Sequence, residues 1–537
     1  MSAAATIPGL YYNFVRPPTE PSPIRSDVAG FFGKTSRGPV GVATRVEGWR
    51  EYTNLFGVLT SDALTPYAVR GYFDNLAQTA YILRLLGVGS KTASGKWTVA
   101  ALSSAGKPGI DWPGDSGLTA LSFGIEASSP GSWANGTTIS IRYWAKGNSG
   151  KPEMEIEVVP PNESVEILSR ISPATIVDDV NTQSNLIRFT ANVLPATVSP
   201  SDLVFPTANH GPRYFQWDGL KLADGVSVAP TQEEYLDAVQ CFGDEVEIAF
   251  TACPDLHCEE MLTEDQRRDI ITTLLVQAED LHDREVILDV PPTHADPLDA
   301  VKWASELRTK IESKKILRGG TVYYPRVRVL DPLGGVTAPL RCVPCSGSVL
   351  GVISRLDQQL GPYATPANAQ IYEVFDLSKT LNAKDQTTIY QGGINLLKCS
   401  PSNGLLVWGG RVLGEETEVT GMLGGFLAHR RLIQVLVRAI RRVAEPLVFE
   451  TNGPQLWLAL VRGITSVLLE AFRAGALKGA TPEEAFRVVC DQTTNPPENI
   501  DNGLCFCEIL VSPAAPMEFI TLRVAVSNQG KLEVFES

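Results

Sequence analysis

The alternation of hydrophobic and polar positions is clearest between residues 230 and 395, where short apolar runs alternate with stretches of helical periodicity. Thr263 begins a capping box with Gln266, which predicts a helix to about His282. Residues 297–313 have the apolar spacing of a second helix. The apolar runs predict three buried strands, EVEIAFTA (245–252), EVILDV (285–290) and TVYYPRVRVLD (321–331). Strands that alternate with helices in this order indicate a parallel sheet with right-handed crossovers.

The segment before this region has two different patterns. Residues 26–90 predict strand, turn, helix and strand, with the helix over 65–79 and a buried strand over 80–88. Residues 91–225 are rich in glycine and serine and contain short alternating runs such as TTISIRYWA (137–145). Such a pattern is typical of a separate β-rich unit.

The C-terminal part is helical and then extended. Apolar stripes predict helices over 422–443 and 453–477, the second as a core helix. Thr481 precedes a short helix with Pro482 in its first position. The last residues alternate as a strand, a turn at 528–530 and a further strand.

Together these patterns predict an α/β fold of several domains. A parallel-sheet α/β core is built from the middle and C-terminal parts, a β-rich domain is inserted, and both chain ends extend as strand arms. The proline-rich composition of the first residues is typical of an extended tether. The predicted boundaries are an N-terminal extended arm over 1–25, the N-terminal part of the core over 26–90, the inserted β-rich domain over 91–228, the α/β core over 229–398, a C-terminal helical domain over 399–515 and a C-terminal strand arm over 516–537.

Composition and charge narrow the possible partners. The chain has 537 residues and a net charge of −14, and an acidic balance argues against bulk binding of nucleic acid or anionic membranes. No apolar run reaches the roughly 20 residues that span a bilayer. We therefore expect no nucleic-acid partner and no direct membrane insertion. The N-terminus lacks the basic flank and apolar core of a signal peptide, which predicts synthesis in a cytosol.

Nine cysteines without such a signal predict free thiols. Six of them lie in three short motifs, CVPC (342–345), ACPDLHC (252–258) and LCFCEIL (504–510). No second C-x-x-C lies at zinc-site spacing. A metal site assembled in three dimensions, for example from Cys253, His257 and Cys258, stays an alternative to buried free cysteines. The sequence predicts no cofactor.

The triplet GKT at residues 33–35 has the appearance of the end of a phosphate-binding loop. The full pattern is G-x-x-x-x-G-K-[ST], but Val28 stands where the first glycine is required. Apolar residues precede Gly33 and turn-forming residues follow it. The segment is therefore predicted to be a strand that ends in a turn.

Two arrangements keep an enzyme open as an alternative. Ligands of parallel sheets lie at the carboxyl ends of strands, where this sequence places Asp255, Asp289 and His294. Such acids are more often helix caps or turn formers.

The second arrangement is the order Asp115, His210 and then Ser346 or Ser348, which is that of subtilisin-like hydrolases. The sequence around these serines lacks the glycine-threonine that precedes serine in such enzymes, and no G-x-S-x-G elbow is present. A cytosolic α/β hydrolase is therefore the weaker hypothesis.

The chain resembles the sheath proteins of contractile phage tails and contractile injection particles. The likeness covers most of the chain. It is specific because many segments match and occur in the same order as in the family. The departures are a longer tail after Val524 and GGFLAHRRL (424–432) where the family often has an N-x-R-R-L start. The matching segments include PGLYYNFV (8–15), DVAGFFGKTSRGPVGVATRV (27–46), SPGSWANGTTISI (129–141), SGSVLGVISRLD (346–357), NLLKCSPSNGLLVWGGRVL (395–413) and NIDNGLCFCEILVSPAAPMEFITLRV (499–524).

The resemblance implies a structural protein and no enzyme. Its subunits would assemble with one another as stacked hexameric rings in a helical lattice around a rigid inner tube, and contraction would drive the tube through a target envelope. The implied partners are further copies of the chain, the inner tube protein, and baseplate and terminator or cap proteins. Assembly would take place in the cytoplasm of a bacterial host, as part of a phage tail or injection particle. A type VI-like sheath component that needs a partner protein is the other alternative.

Two sets of residues are predicted to contact other subunits. Strand-like arms are aggregation hazards unless each is donated to the edge of a neighbour's sheet. The predicted arm residues are Pro8, Gly9, Leu10, Tyr11, Tyr12, Phe14 and Val15 at one end and Glu518, Phe519, Ile520, Thr521, Leu522 and Val524 at the other. The helix over 422–443 has an arginine-rich face that we predict to be solvated and to contact the inner tube, formed by Arg430, Arg431, Arg438, Arg441 and Arg442.

Overall fold

A computed structural model describes residues 25–102, 118–144, 153–172, 175–190, 214–258, 260–413, 425–514, 522–526 and 532–536. The first of these ranges contains the beginning of the core. Gly33 ends the first strand and a turn follows, which confirms the prediction for the GKT segment. The elements are β1 (Ala29–Gly33), β2 (Thr44–Val46), α1 (Trp49–Phe56), α2 (Thr65–Asp74) and β3 (Ala80–Arg84).

A β-rich segment follows, whose described residues lie between 91 and 228. Within its described residues the strands form two sheets, one of three strands (β4-β5-β9) and one of four (β10-β6-β7-β8). The elements are β4 (Ser94–Leu102), β5 (Leu118–Ala127), β6 (Thr138–Trp144), β7 (Glu153–Val159), β8 (Glu166–Ile171), α3 (Ile176–Gln183), β9 (Ile187–Thr190) and β10 (Tyr214–Lys221).

The middle of the chain alternates helices and strands. Thr263 caps α5 and forms the predicted capping box with Gln266. The elements are α4 (Gln232–Gly243), β11 (Phe250–Ala252), α5 (Glu264–Leu281), β12 (Glu285–Asp289), α6 (Pro297–Ile311), α7 (Lys314–Leu317), β13 (Gly320–Tyr324), β14 (Val327–Leu330), β15 (Leu340–Val343), α8 (Ser346–Leu360), β16 (Ala369–Gln370), β17 (Asp376–Leu377), α9 (Ala383–Gln391), β18 (Asn395–Ser400) and β19 (Gly404–Trp408).

The C-terminal part begins with two long helices. They are followed by short elements and by two pairs of antiparallel strands. The elements are α10 (Leu427–Ala444), α11 (Pro454–Arg473), α12 (Pro482–Ala485), β20 (Phe486–Val489), α13 (Pro497–Asp501), β21 (Glu508–Val511), β22 (Leu522–Val526) and β23 (Leu532–Glu536).

One mixed sheet of nine strands organises the core, in the order β16-β19-β18-β13-β12-β11-β1-β3-β2. The six strands from β18 to β3 are parallel to their neighbours. The strands β2, β19 and β16 pair antiparallel, so the prediction of a parallel sheet is correct for the centre and wrong for both edges. The fold is mixed α/β.

Helices cover both faces of this sheet. Side chains of α1, α2 and α8 pack with one face, and those of α4, α5, α6 and α9 pack with the other. A sheet buried on both faces explains why strands such as β12 are apolar without alternation. The β-rich segment has a hydrophobic cluster of its own, as has the layer formed by α10, α11, β20 and β21.

The segment 321–331 is not the single strand that its apolar residues predict. Pro325 separates β13, which lies in the large sheet, from β14, which pairs with β15 and β17 in a small sheet. Proline has no N–H for a ladder hydrogen bond, so it ends a central strand.

An ion pair joins the β-rich segment to the core. The Arg37 Nε lies 2.8 Å from a carboxylate oxygen of Glu163, and both side chains are 7% exposed. The Arg37 guanidinium also donates to the main-chain oxygens of Asn54 and Thr53. These contacts hold the loop around Glu163 against the turn that follows β1.

Candidate functional site

The carboxyl ends of the parallel strands, where α/β enzymes bind ligands, are occupied here by structural contacts. Asp255 follows β11 and is 1% exposed. Its carboxylate accepts hydrogen bonds from the Leu64 N–H (2.5 Å), the Thr65 hydroxyl (2.7 Å) and the Lys34 N–H (2.8 Å). A carboxylate at this position stabilises the N-terminus of α2. Burial raises the pKa of Asp255, and these hydrogen bonds oppose that shift.

Asp289 has the same role one strand further along the sheet. It ends β12, is 6% exposed, and accepts a hydrogen bond of 3.0 Å from the Ser346 N–H at the start of α8. The Cys345 Sγ lies 3.6 Å from the same carboxylate oxygen. Burial raises the pKa of Asp289. The carboxylates that the enzyme hypothesis needed therefore anchor the first turns of α2 and α8.

The other residues of the hydrolase hypothesis do not assemble into a site in the described part of the chain. Ser346 is 0% exposed and Ser348 is 3% exposed, so neither presents a nucleophile to a substrate. His294 is half-buried and its Nδ1 lies 3.0 Å from the Thr293 hydroxyl. Asp115 and His210 lie outside the described residues.

The proposed metal-ligating side chains likewise form no such site. No group of three or more His, Cys, Asp or Glu side chains with metal-binding geometry is found among the described residues. Burial lowers the pKa of His257 to about 3, so its ring is neutral. The nine cysteines are all in described ranges and all are free thiols, as predicted.

The arginine-rich helix α10 lies across the opposite end of the sheet. Arg438 is 8% exposed and donates to main-chain oxygens of Arg25 (2.8 Å), Asp283 (2.6 Å), Ile248 and Glu247 (3.4 Å). These acceptors precede β1, β11 and β12, so one guanidinium satisfies carbonyl groups at the amino ends of three parallel strands. Burial lowers the pKa of Arg438 to about 10, which leaves it charged at neutral pH.

Two other arginines of α10 form ion pairs with the core. Arg431 is 3% exposed, pairs with the buried carboxylate of Asp357, and lies over the ring of Phe250. The Arg430 Nη2 lies 3.2 Å from a carboxylate oxygen of Glu279. On the same helix, the Gln434 side chain donates a hydrogen bond of 2.7 Å to the main-chain oxygen of Arg284. The polar face of α10 therefore packs against the core, and its apolar face, with Leu432 and Leu436, packs in the C-terminal cluster.

The prediction of a solvated arginine face is thus wrong for Arg431 and Arg438. The Arg438 guanidinium is surrounded by main-chain oxygens that precede the strands, and the Arg431 guanidinium by the buried Asp357 carboxylate of α8. Arg441 is 52% exposed and pairs at 3.5 Å with Asp283, and Arg442 is exposed. Of the five arginines, these two are the exposed ones. The acidic residues Glu279 and Glu285 of EDLHDRE (279–285) were a signal in the sequence for the contacts of Arg430.

Glu285 is a titrating group in this interface. It is 0% exposed, its Oε2 accepts a hydrogen bond of 3.1 Å from Gln434, and the Arg430 Nε lies 3.8 Å away. Burial raises its pKa from the ordinary 4.5 to about 7, against the opposing effect of Arg430. The folded chain therefore holds this proton more tightly than the unfolded chain.

We expect the stability contribution of Glu285 to be complete below pH 4.5 and to be lost as the pH rises through about 7. The shift corresponds to about 3 kcal/mol. Glu285→Gln should flatten the dependence of the urea midpoint on pH between these limits, and Glu233→Gln at an exposed position should not. An unchanged slope in Glu285→Gln would show that another group titrates.

The helix α11 is not the core helix that its composition predicts. Its buried residues are Trp457, Ile464 and Leu468, which form one stripe. Among the described residues, α11 alone is long and apolar enough to cross a membrane, by length and composition only, and 17% of its apolar window is buried. One such helix is weak evidence for a membrane span, because core helices of other proteins meet the same criterion.

A two-stranded antiparallel sheet, β20–β21, lies on this helical layer. Its register pairs Phe486 with Val511 and Val489 with Glu508. Phe486, Val488, Ile509 and Val511 pack against the C-terminal hydrophobic cluster, while Leu510 is 53% exposed. In the described part of the chain, no further strand pairs with the outer edge of β20 or of β21, although residues 476–478 bond to residues 512–514 just beyond β21. Sequence reasoning had not singled out this open sheet.

The predicted strand arms fall largely outside the described residues. This applies to residues 8–15 and to 518–521. Leu522 and Val524 lie in β22, which pairs antiparallel with β23. The described part of the predicted C-terminal arm is therefore not a lone strand, because β23 already pairs with one edge of β22.

Parts of the chain are similar in sequence to known tail sheath proteins. Residues 425–527 match the family model described as the phage tail sheath C-terminal domain. The tail sheath protein of Vibrio phage KVP40 is 28% identical over 191 residues, which are 35% of this chain and 27% of that protein. The matched stretch thus spans about a quarter of the length of this relative.

Solved structures extend the likeness to the whole chain. The helical sheath of the anti-feeding prophage in its contracted state has a TM-score of 0.54 at 17% identity, over 97% of this chain and 100% of that chain. A chain in the baseplate of the same particle in its contracted state has a TM-score of 0.59 at 15% identity, over 98% and 100%. At these identities the likeness shows the fold. The resemblance to contractile tail sheath proteins that the sequence indicated is confirmed.

Proposed function

We propose that the chain is the sheath subunit of a contractile particle. It polymerises as stacked hexameric rings around a rigid inner tube and contracts to drive the tube through a target envelope. The observation that carries this proposal is the open sheet β20–β21, which has a half-buried apolar face and two outer edges free of strand partners in the described residues. Edge strands of this kind are sites for strand addition from another chain.

The arms are the proposed occupants of these edges. Residues 8–15 alternate as a strand does, and β22 has one edge that β23 does not cover in the described residues. Backbone hydrogen bonds to an arm would supply affinity, and alternate side chains would set the register. Donation between neighbours would join the rings into a mesh that stays connected while the domains move as rigid bodies.

Contraction requires a lattice with two states of similar free energy. The two conformations of a switching protein usually differ in free energy by a few kcal/mol. A difference of this size for each subunit adds up over a lattice of many subunits. We propose that residues 26–90 and 229–408 move as one unit together with α10, and that 91–228 moves as a second unit. The contacts of α10 with the amino ends of β1, β11 and β12 support movement of α10 with the core.

The proposed partners are further copies of the chain, the inner tube protein, and baseplate and terminator or cap proteins. Similarity to a chain of a helical sheath supports further copies of the chain as partners, and similarity to a chain of a baseplate supports the baseplate proteins. We also propose assembly in the cytoplasm of a bacterial host.

The chain expressed alone and viewed by negative-stain electron microscopy tests the proposal. Hollow cylinders with transverse striations are expected. Particles of one to a few chains, at concentrations where sheaths assemble, would contradict self-assembly and would favour a component that needs a partner protein.

Charge reversal of the exposed arginines tests the contact with the tube. Arg441→Glu with Arg442→Glu should give cylinders that form without the tube but load poorly on it, because two repulsive charges are repeated in every subunit. The loaded fraction is counted in micrographs of co-expressed sheath and tube protein. Arg50→Glu with Arg328→Glu reverses two exposed charges on the core and is the matched control. Equal loading of both variants would rule out this part of α10 as the tube contact.

A further inference from the structure

Three thiols meet at one end of the sheet β20–β21. Cys490 follows β20 directly, and Cys507 directly precedes β21. The antiparallel register pairs Val489 with Glu508, so its next step places Cys490 opposite Cys507. Cys505 lies two residues before Cys507, in the segment that leads into β21. A third of the chain's nine cysteines are therefore in one corner of the fold.

Hydrogen bonds hold these residues together. The Cys490 Sγ lies 3.5 Å from the main-chain oxygen of Phe506, the residue between Cys505 and Cys507. The Asn495 side chain is 1% exposed and donates a hydrogen bond of 2.9 Å to the same oxygen. Its amide oxygen accepts a hydrogen bond of 2.6 Å from the Phe506 N–H, and its Nδ2 lies 3.8 Å from the Cys490 Sγ. This buried amide fixes Cys490 against the segment 505–507.

The three thiols differ in their access to solvent. Cys490 is buried, Cys507 is half-buried and Cys505 is exposed, so a small molecule meets Cys505 first. Burial raises the pKa of Cys490, and it raises the pKa of Cys505 to about 11. The thiolate is the attacking species, so exchange at this corner is slow at neutral pH and accelerates as the pH rises.

We propose that Cys490 and Cys505 are a dithiol that an oxidised small-molecule disulfide, such as glutathione disulfide, converts to an intramolecular disulfide. The Cys505 thiolate attacks one sulfur of glutathione disulfide, its S–S bond breaks, and one glutathione thiolate leaves and takes up a proton. The Cys490 thiolate then attacks the Cys505 Sγ and releases the second glutathione, which is also protonated. The two cysteines are oxidised by two electrons in total, and glutathione disulfide is reduced to two thiols. The product closes the loop 491–504, and the inference does not rest on the proposed function.

The test uses the full chain incubated with glutathione disulfide at mildly alkaline pH, then alkylated and mapped by mass spectrometry. We expect one linked peptide pair, Cys490 with Cys505, formed faster as the pH is raised, whatever glutathione adducts form on the exposed Cys258, Cys342 and Cys399. Cys490→Ser should stop at a single glutathione adduct on Cys505. Cys399→Ser, at an exposed cysteine elsewhere, should react as the natural sequence does.

Three results would overturn the proposal. They are a stable glutathione adduct on Cys505 in the natural sequence, a bridge that joins any other pair, including Cys490 with Cys507, and full alkylation of all nine thiols after incubation.

Discussion

A chain that lacks residues 1–24 is expected to fold as the full chain does and to form no sheath cylinders. The core contacts described here begin at Arg25, whose side chain donates to Asp27 (2.9 Å) and to the Thr79 hydroxyl (2.7 Å). The deletion keeps these contacts of Arg25, while the edges of β20–β21 lose one proposed partner in every subunit. Loss of cylinders in negative stain, with an unchanged circular dichroism spectrum, is the expected result.

Proline substitutions separate strand pairing from arm length. Tyr12→Pro with Phe14→Pro removes two N–H donors from the strand-like segment and should prevent cylinders as the deletion does. Thr19→Pro with Glu20→Pro places the same substitutions outside that segment and should leave assembly intact. Cylinders of normal length from the Tyr12 and Phe14 variant would contradict strand donation by this arm.

Arg438→Ala is expected to cost about 3–5 kcal/mol of unfolding free energy. The substitution leaves main-chain oxygens of Asp283, Ile248 and Arg25 without a donor, and each buried unsatisfied group costs about 1–3 kcal/mol. The urea midpoint of the dispersed chain measures the loss.

Two further variants control for the charge. Arg442→Ala removes an exposed arginine of the same helix and should change stability by at most about 0.5 kcal/mol. Arg438→Lys should lie between the two, because an ammonium group cannot reach acceptors in the fork geometry of guanidinium. Equal midpoints for Arg438→Ala and Arg442→Ala would contradict the account of α10 as an anchor on the sheet.

Local signals in the sequence predicted most of the elements. Thr263 with Gln266 and Thr481 with Pro482 mark helix starts that the structure has, because capping depends on residues close in sequence. Pro325 was also a local signal, since it divides 321–331 into two strands. The apolar residues on both sides of the proline nevertheless led to the prediction of a single strand.

The placement of α10 depends on distant residues. Its arginines alternate with apolar positions as they would on a solvated amphipathic helix. Carbonyl groups of Ile248 and Asp283, some 190 and 155 residues away in sequence, decide that Arg438 is buried. The open edges of β20–β21 likewise depend on which distant strands pair with one another. A local sequence pattern does not show this pairing.

The most direct measurement is a cryo-electron microscopy reconstruction of cylinders assembled from the full chain. The account predicts added strands on the edges of β20–β21, with side chains that identify residues 8–15 and the segment around Leu522 of neighbouring subunits. A helical lattice in which both edges of β20–β21 stay unpaired, with the arms bound elsewhere, would contradict it.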